Sequence, residues 1–152
     1  MLARIINPPA ELYLDGLFCY QQIQHQTNDF IKWRYSRLAV LGFYSALEAA
    51  INSSESVDPD ESMASKWKTK FKFPEENTEW QKFCALKSVR IAISHYDGSS
   101  EDTKKMYNEL ELQIDKFYGT TRNMLAKLYG DNTMVAWEAQ ITPYDATETS
   151  NR

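Results

Sequence analysis

One short segment of this sequence combines a phosphate-binding side chain with a proton-transferring one. Arg90 is followed, after four intervening residues, by His95, and Asp97-Gly98 comes soon afterwards at a predicted turn. The planar guanidinium of arginine matches the geometry of a phosphate. Histidine is the side chain whose unperturbed pKa lies near neutral pH. Acting together, the two residues predict cleavage of a phosphodiester without a metal ion.

Helical geometry separates these two side chains. At about 100° per residue, Arg90 and His95 lie about 140° apart around a helix axis, so they do not stand side by side. Ser94 falls on the Arg90 side, where we expect its hydroxyl to orient a phosphate or to bond to the local backbone. His95 also has a purely structural interpretation, as a residue that the helix dipole stabilises at a C-terminus.

Charge is distributed unevenly along the chain. The net charge of −4 argues against a generic basic nucleic-acid coat, yet residues 66–96 carry seven basic and three acidic side chains. Within this block Lys66, Lys68 and Lys70 alternate with other residues, among them Trp67. We therefore predict that these lysines follow an RNA backbone while Trp67 stacks on a base. The alternative is a solvated edge whose aromatic side chains lie in the core.

The pattern of apolar residues predicts an all-α fold. Apolar residues recur at intervals of three and four, and glycine and proline number only five each, which favours an antiparallel bundle of about four main helices. The predicted helices cover residues 10–26, 29–52, and 79–95 with Thr78 as the cap. A fourth begins at residue 101, capped by Ser99 or Ser100, pauses at Gly119 and continues over residues 120–129 to end at Gly130. Residues 66–73 are predicted to be extended or irregular because their pattern repeats every two residues.

The 152 residues fit a single domain, with its core over about residues 10–130 and a polar tail over about 142–152. Cys19 and Cys84 have no CxxC spacing, so we expect reduced cysteines in the core. No apolar run approaches the length needed to cross a bilayer. These features favour a cytoplasmic protein without a membrane partner, and we expect neither a cofactor nor a metal.

Three features of the sequence together resemble the HEPN family. They are the long second helix ending in Ala46–Asn52, the connector that carries Trp67, and the segment from Arg90 to His95. Members of this family are small helical bundles with an Arg-x4-6-His motif late in the third helix or nearby. The resemblance covers approximately residues 29–118, and only the Arg90–His95 segment is specific.

The resemblance implies a metal-independent endoribonuclease that acts as a homodimer, with the motifs of two protomers meeting in one cleft. His95 would take the proton from the ribose 2′-hydroxyl or donate one to the leaving oxygen. Arg90 would bind the scissile phosphate and stabilise the charge that develops on it. Such a protein would be a toxin or a defence effector, restrained by a cognate antitoxin or another regulatory protein.

Two residues keep alternatives open. Many active members of the family have a polar residue directly after the arginine, where this chain has Ile91. Ile91 therefore favours a non-catalytic HEPN-like module that dimerises or binds RNA or a nucleotide. Glu48 lies among apolar neighbours on its predicted helix, and its carboxylate is expected to pair with Arg90 or to reach water. An unrelated helical adaptor that binds only protein is the third hypothesis.

Overall fold

The computed structural model of this protein describes residues 7–54, 58, 60–94 and 100–141. This part of the chain contains six α-helices and no strand, which confirms the all-α prediction. The helices are α1 (Pro8–Ile23), α2 (Asp29–Asn52), α3 (Met63–Phe71), α4 (Thr78–Ser94), α5 (Ser100–Tyr129) and α6 (Asp131–Glu138). The four longest, α1, α2, α4 and α5, correspond to the predicted main helices.

Asparagine side chains begin three of the main helices, the first being Asn7, which accepts a hydrogen bond from the Ala10 N–H at the start of α1. The Asn28 side-chain oxygen accepts hydrogen bonds from the backbone N–H groups of Phe30 and Ile31 at the start of α2. The Asn77 oxygen accepts one from the Trp80 N–H at 2.9 Å. Each bond satisfies a donor that the helix itself leaves unpaired. Asn77 is thus the residue that caps α4, and the prediction of Thr78 as the cap was wrong.

The segment predicted to be extended is helical. The Ser62 hydroxyl accepts a hydrogen bond from the Ser65 N–H and begins α3, and Lys72 ends it with a left-handed φ of 52°. Trp67 and Phe71, four residues apart, stack with their ring centroids 5.5 Å apart. The same alternation of lysine and aromatic residues therefore satisfies a helical period as well, and packing of Trp67 in the core selects the helix.

The chain after residue 100 differs from the prediction at Gly119 and beyond Gly130, whereas the end of the long helix at Tyr129 is confirmed. α5 continues through Gly119 without a break, because a single glycine costs a long helix only about 1 kcal/mol. Gly130, with a φ of 85°, ends α5 and lets the chain turn into α6. The sequence pattern did not predict α6, although its Trp137 lies in the core as expected.

α2 lies in the middle of the bundle. α1 crosses it closely at two glycines: a Cβ on Gly42 would lie 2.7 Å from the Gly16 Cα. α5 packs against α2 and runs parallel to it. Phe43 contacts Tyr118, and Ala50 lies near Leu128 farther along both helices. α4 packs against both α2 and α5. This arrangement brings Arg90, near the end of α4, beside Tyr44 of α2.

The cysteine prediction was wrong for Cys84, which is exposed on α4, while Cys19 is half-buried on α1. The buried positions of α4 are Trp80, Phe83, Leu86 and Val89. Cys84 follows Phe83 directly and therefore lies about 100° away from it around the helix. No helix in the described ranges is both long and apolar enough to span a membrane.

Candidate functional site

Arg90 lies on the side of α4 that faces the bundle, one turn beyond the buried Leu86. Its guanidinium carbon is 5.1 Å from the centroid of the Tyr44 ring on α2. Tyr44 is itself buried, with 7% of its surface exposed, so the ring provides a fixed support. A cation above the face of an aromatic ring is attracted by the negative charge of that face. The pair therefore fixes the position of the Arg90 head group between α2 and α4.

No acidic side chain among the described residues neutralises Arg90. Within the described ranges it forms no ion pair and no hydrogen bond with another side chain. Glu48 is exposed and forms no ion pair with Arg90. Of the two predictions for this carboxylate, the one that it reaches solvent therefore holds. Burial raises the pKa of Tyr44, the Glu48 charge raises it further and the Arg90 charge lowers it, so both charges act on this ring.

Two residues that follow Arg90 on α4 are exposed. Ser94 is the last residue of the helix and is open to solvent, and Ile91 exposes 43% of its surface. The predicted catalytic residue His95 lies outside the residues that the structure describes. What the structure gives of the predicted motif is therefore one supported arginine with an exposed serine one turn farther along.

Two of the residues predicted to contact RNA are buried in the protein. Trp67 has none of its surface exposed, and its indole N–H donates a hydrogen bond to the Leu47 carbonyl at 3.2 Å. Lys66 exposes 7% of its surface, and its ammonium donates to the Asn52 side-chain oxygen at 2.7 Å. Neither side chain is available to RNA in this fold, and the alternative, aromatic residues in the core, describes Trp67.

The other two predicted lysines are also occupied or distant. Lys68 forms an ion pair with Glu75 and lies 5.7 Å from the Trp80 ring centroid. Lys70 lines a cleft together with Lys127 near the end of α2. α3 contacts α2 around its last turns, whereas Arg90 contacts it at Tyr44.

The contacts that α3 and Arg90 make with α2 are separated along the axis of that helix. Lys66 bonds to Asn52, and Arg90 covers Tyr44, eight residues earlier. At 1.5 Å per residue the two contacts are about 12 Å apart along the helix axis.

A second arginine held by a ring lies on α2 itself. The guanidinium carbon of Arg37 is 4.4 Å from the centroid of the Trp33 ring, one turn earlier on α2. Arg37 and Tyr44 are seven residues apart and so lie on the same side of this helix, about 10 Å apart along its axis. We find no acidic partner for Arg37 in the described part of the chain. The spacing of Trp33 and Arg37 in a predicted helix was a signal that could have revealed this pair.

Both helices that contribute these arginines have long segments without acidic residues. Residues 30–47 of α2 and 80–94 of α4 each contain three basic side chains and no aspartate or glutamate. The whole chain, in contrast, has a net charge of −4. The six basic residues are Lys32, Arg34, Arg37, Lys82, Lys87 and Arg90. The region around Arg90 is therefore locally cationic within an acidic protein.

A different polar cluster joins α1, α5 and α6. The Arg122 Nε donates to a Glu138 carboxylate oxygen at 2.8 Å, and the Tyr118 hydroxyl donates to the other oxygen at 3.3 Å. Arg122 also lies 3.7 Å from Asp131. Burial and the Glu138 charge raise the pKa of Tyr118, and burial is the main cause of a raised pKa for the nearby Tyr13. This closed cluster attaches α6 to the bundle.

Neither metal chemistry nor relatedness adds a further assignment. Across the ranges that the structure describes, no three histidine, cysteine, aspartate or glutamate side chains come together as a metal site would require. Comparison of the chain with protein-family models, with curated proteins and with solved structures finds no match. The functional argument therefore depends on the residues themselves.

Proposed function

We propose that this protein is a metal-independent endoribonuclease of the HEPN type that acts on single-stranded RNA as a homodimer. The observation that supports the proposal best is the state of Arg90. Its guanidinium is held over the Tyr44 ring and has no acidic partner among the described residues, so its N–H donors are available to a phosphate. The acid-free segments of α2 and α4 supply a cationic surrounding for such a ligand.

The proposed reaction is transfer of the phosphorus from the 5′-oxygen to the neighbouring 2′-oxygen of RNA. The P–O2′ bond forms, the P–O5′ bond breaks, and the 2′-hydroxyl proton ends on the leaving 5′-oxygen. His95 would carry one of these two proton transfers, which is worth about 10²–10⁴-fold in rate. Arg90 would donate hydrogen bonds to the phosphate as it gains charge. In the homodimer, a second copy would supply the other acid–base group.

The test uses the two histidines of the chain. The purified protein is incubated with a labelled single-stranded RNA in the presence of a chelator, and the products are analysed for cyclic phosphate ends. His95→Ala is expected to abolish cleavage, whereas His25→Ala, the matched control, retains it, because His25 follows α1 outside the site. Cleavage that survives in His95→Ala would overturn the role of this residue.

A non-catalytic RNA-binding module is the second candidate, and Ile91 favours it. This apolar side chain follows Arg90 directly and is 43% exposed, and it can neither donate nor accept a proton. The same experiment separates the two candidates. RNA that is retarded in a gel but not cut, with retardation reduced by Arg90→Gln, would support the binding module and overturn the nuclease.

A further inference from the structure

We propose that Arg37, held over Trp33, is a second phosphate-binding residue that the same protomer supplies, and that it positions single-stranded RNA across α2 toward Arg90. This inference rests on the proposed function, since it specifies how the RNA lies at the same site. It adds a cation from within one chain, in addition to the arginine that a second protomer would bring.

The first argument concerns how the two guanidinium groups are held. Both lie over aromatic rings of α2: Arg37 at 4.4 Å from the Trp33 centroid and Arg90 at 5.1 Å from that of Tyr44. A ring restricts the side chain without consuming its N–H donors, so less conformational freedom is lost when a phosphate binds. An ion pair would hold an arginine as well, but it would neutralise the charge that attracts RNA.

The second argument is position. Trp33, Arg37 and Tyr44 fall on one side of α2, because their spacings of four and seven residues are close to whole turns. The two rings that support the arginines, Trp33 and Tyr44, are about 16 Å apart along the helix axis. A flexible polyanion with phosphates at regular intervals can contact both arginines.

The third argument is the surrounding charge. Between Asp29 and Glu48, α2 has no acidic residue, so nothing on this stretch of the helix repels a phosphate chain. The exposed Phe30, with 79% of its surface in solvent, lies one turn before Trp33. Cations interspersed with aromatic side chains are the combination that binds single strands without strong sequence preference.

The experiment measures RNA binding apart from cleavage. In the His95→Ala background, with a chelator present, fluorescence anisotropy gives the Kd of a 5′-labelled single-stranded RNA at several salt concentrations. Arg37→Gln is expected to raise the Kd about fivefold to tenfold at low salt, and to reduce the salt slope by about 0.7. Arg37→Lys is expected to recover part of the affinity, because it keeps the charge but loses the planar donor geometry.

Lys116→Gln is the matched control. It removes the same charge from an exposed position on α5, outside the acid-free segments of α2 and α4, and should change the Kd by less than about twofold. Equal effects of Lys116→Gln and Arg37→Gln, or no effect of either, would overturn the inference. Circular dichroism and thermal unfolding of each variant check that the fold is retained.

Cleavage by the parent chain then separates this inference from the proposed function. If the parent binds RNA but does not cut it, and Arg37→Gln weakens that binding, the role of Arg37 is supported and the nuclease activity is contradicted. If the parent cuts RNA and Arg37→Gln leaves both kcat and KM unchanged, the nuclease activity is supported and the role of Arg37 is contradicted. A parent chain that does not bind RNA at low salt would overturn both.

Discussion

Arg90 and Arg122 are held in the protein by opposite means. Arg122 donates to Glu138 at 2.8 Å and lies near Asp131, and it joins α5 to α6. Arg90 lies on the Tyr44 ring with no acid bound to it in the described part of the structure. Both arginines are partly buried, so burial does not distinguish them. What differs is whether the charge is already satisfied within the protein.

This difference indicates which arginine serves the fold and which serves a ligand. A paired guanidinium has its donors and its charge neutralised, so it offers little to an incoming anion. A guanidinium on a ring keeps its donors, and the ring contributes only about 0.5–1 kcal/mol at a site open to solvent. The cluster of Arg122 should therefore matter for stability, and Arg90 should matter for RNA. Substitution of each arginine should therefore change one of these two properties and leave the other nearly unchanged.

The largest effect is expected from Arg90→Gln. Removing one donor to a developing oxyanion costs about 10²–10³-fold in kcat, and we expect a loss in kcat/KM of this size for RNA cleavage. The free energy of unfolding should fall by less than about 1 kcal/mol, since only the contact with the Tyr44 ring is lost. Steady-state kinetics and thermal unfolding of the same preparation measure the two quantities.

Arg90→Lys is the companion variant. It keeps the positive charge but loses the fork of donors, so its activity should lie between those of the parent and Arg90→Gln. If Arg90→Gln instead unfolds well below the parent while keeping its activity, the comparison is reversed and Arg90 is a structural residue.

A smaller effect, and of the opposite kind, is expected from Arg122→Gln. The substitution leaves the Glu138 carboxylate, with its side chain 22% exposed, without its charged partner. We expect a loss of about 1–2 kcal/mol in the free energy of unfolding, since the site is only partly buried. The midpoint of thermal unfolding should fall by about 3–6 °C, while the Kd for RNA stays within twofold of the parent value.

Arg122→Lys gives the internal control for that measurement, because it restores a charge next to Glu138 without the Nε donor. Its melting temperature should lie between those of the parent and Arg122→Gln. A variant that melts normally but loses RNA affinity would place Arg122, and not Arg90, at the ligand.

The all-α fold was predictable from sequence because apolar periodicity is a local property. Phe83, Leu86 and Val89 recur at helical intervals, and all three are buried. The helical state of Met63–Phe71 was not predictable in this way. Its lysines and aromatic residues suit a period of two as well as one of 3.6, and burial of Trp67 against α2 decides between them. The contact between Trp67 and Leu47 joins residues 20 positions apart, so a local sequence pattern does not reveal it.

The candidate site shows the same limit. Arg90 was singled out from its spacing to His95, but its support by Tyr44 depends on how α4 packs against α2. The lysines of α3 belong to the same basic block of the sequence as Arg90, but Lys66 bonds to Asn52 at the end of α2. Arg37, which precedes Arg90 by 53 residues, lies on the same side of α2 as the Tyr44 ring that supports Arg90. Tertiary packing, and not proximity in the chain, decides which basic residues share that side.

The smallest effect is expected from Glu48→Gln. Glu48 is exposed, and its charge acts on the Tyr44 ring together with that of Arg90, so it opposes the cationic region locally. Removing this charge should lower the Kd for RNA by about twofold at low salt and by less as salt screens the site. Glu111→Gln, which changes the net charge equally on the exposed side of α5, is the control and should have a smaller effect. If the two variants gain affinity equally, total charge attracts the RNA; a gain confined to Glu48→Gln places the phosphate beside Arg90.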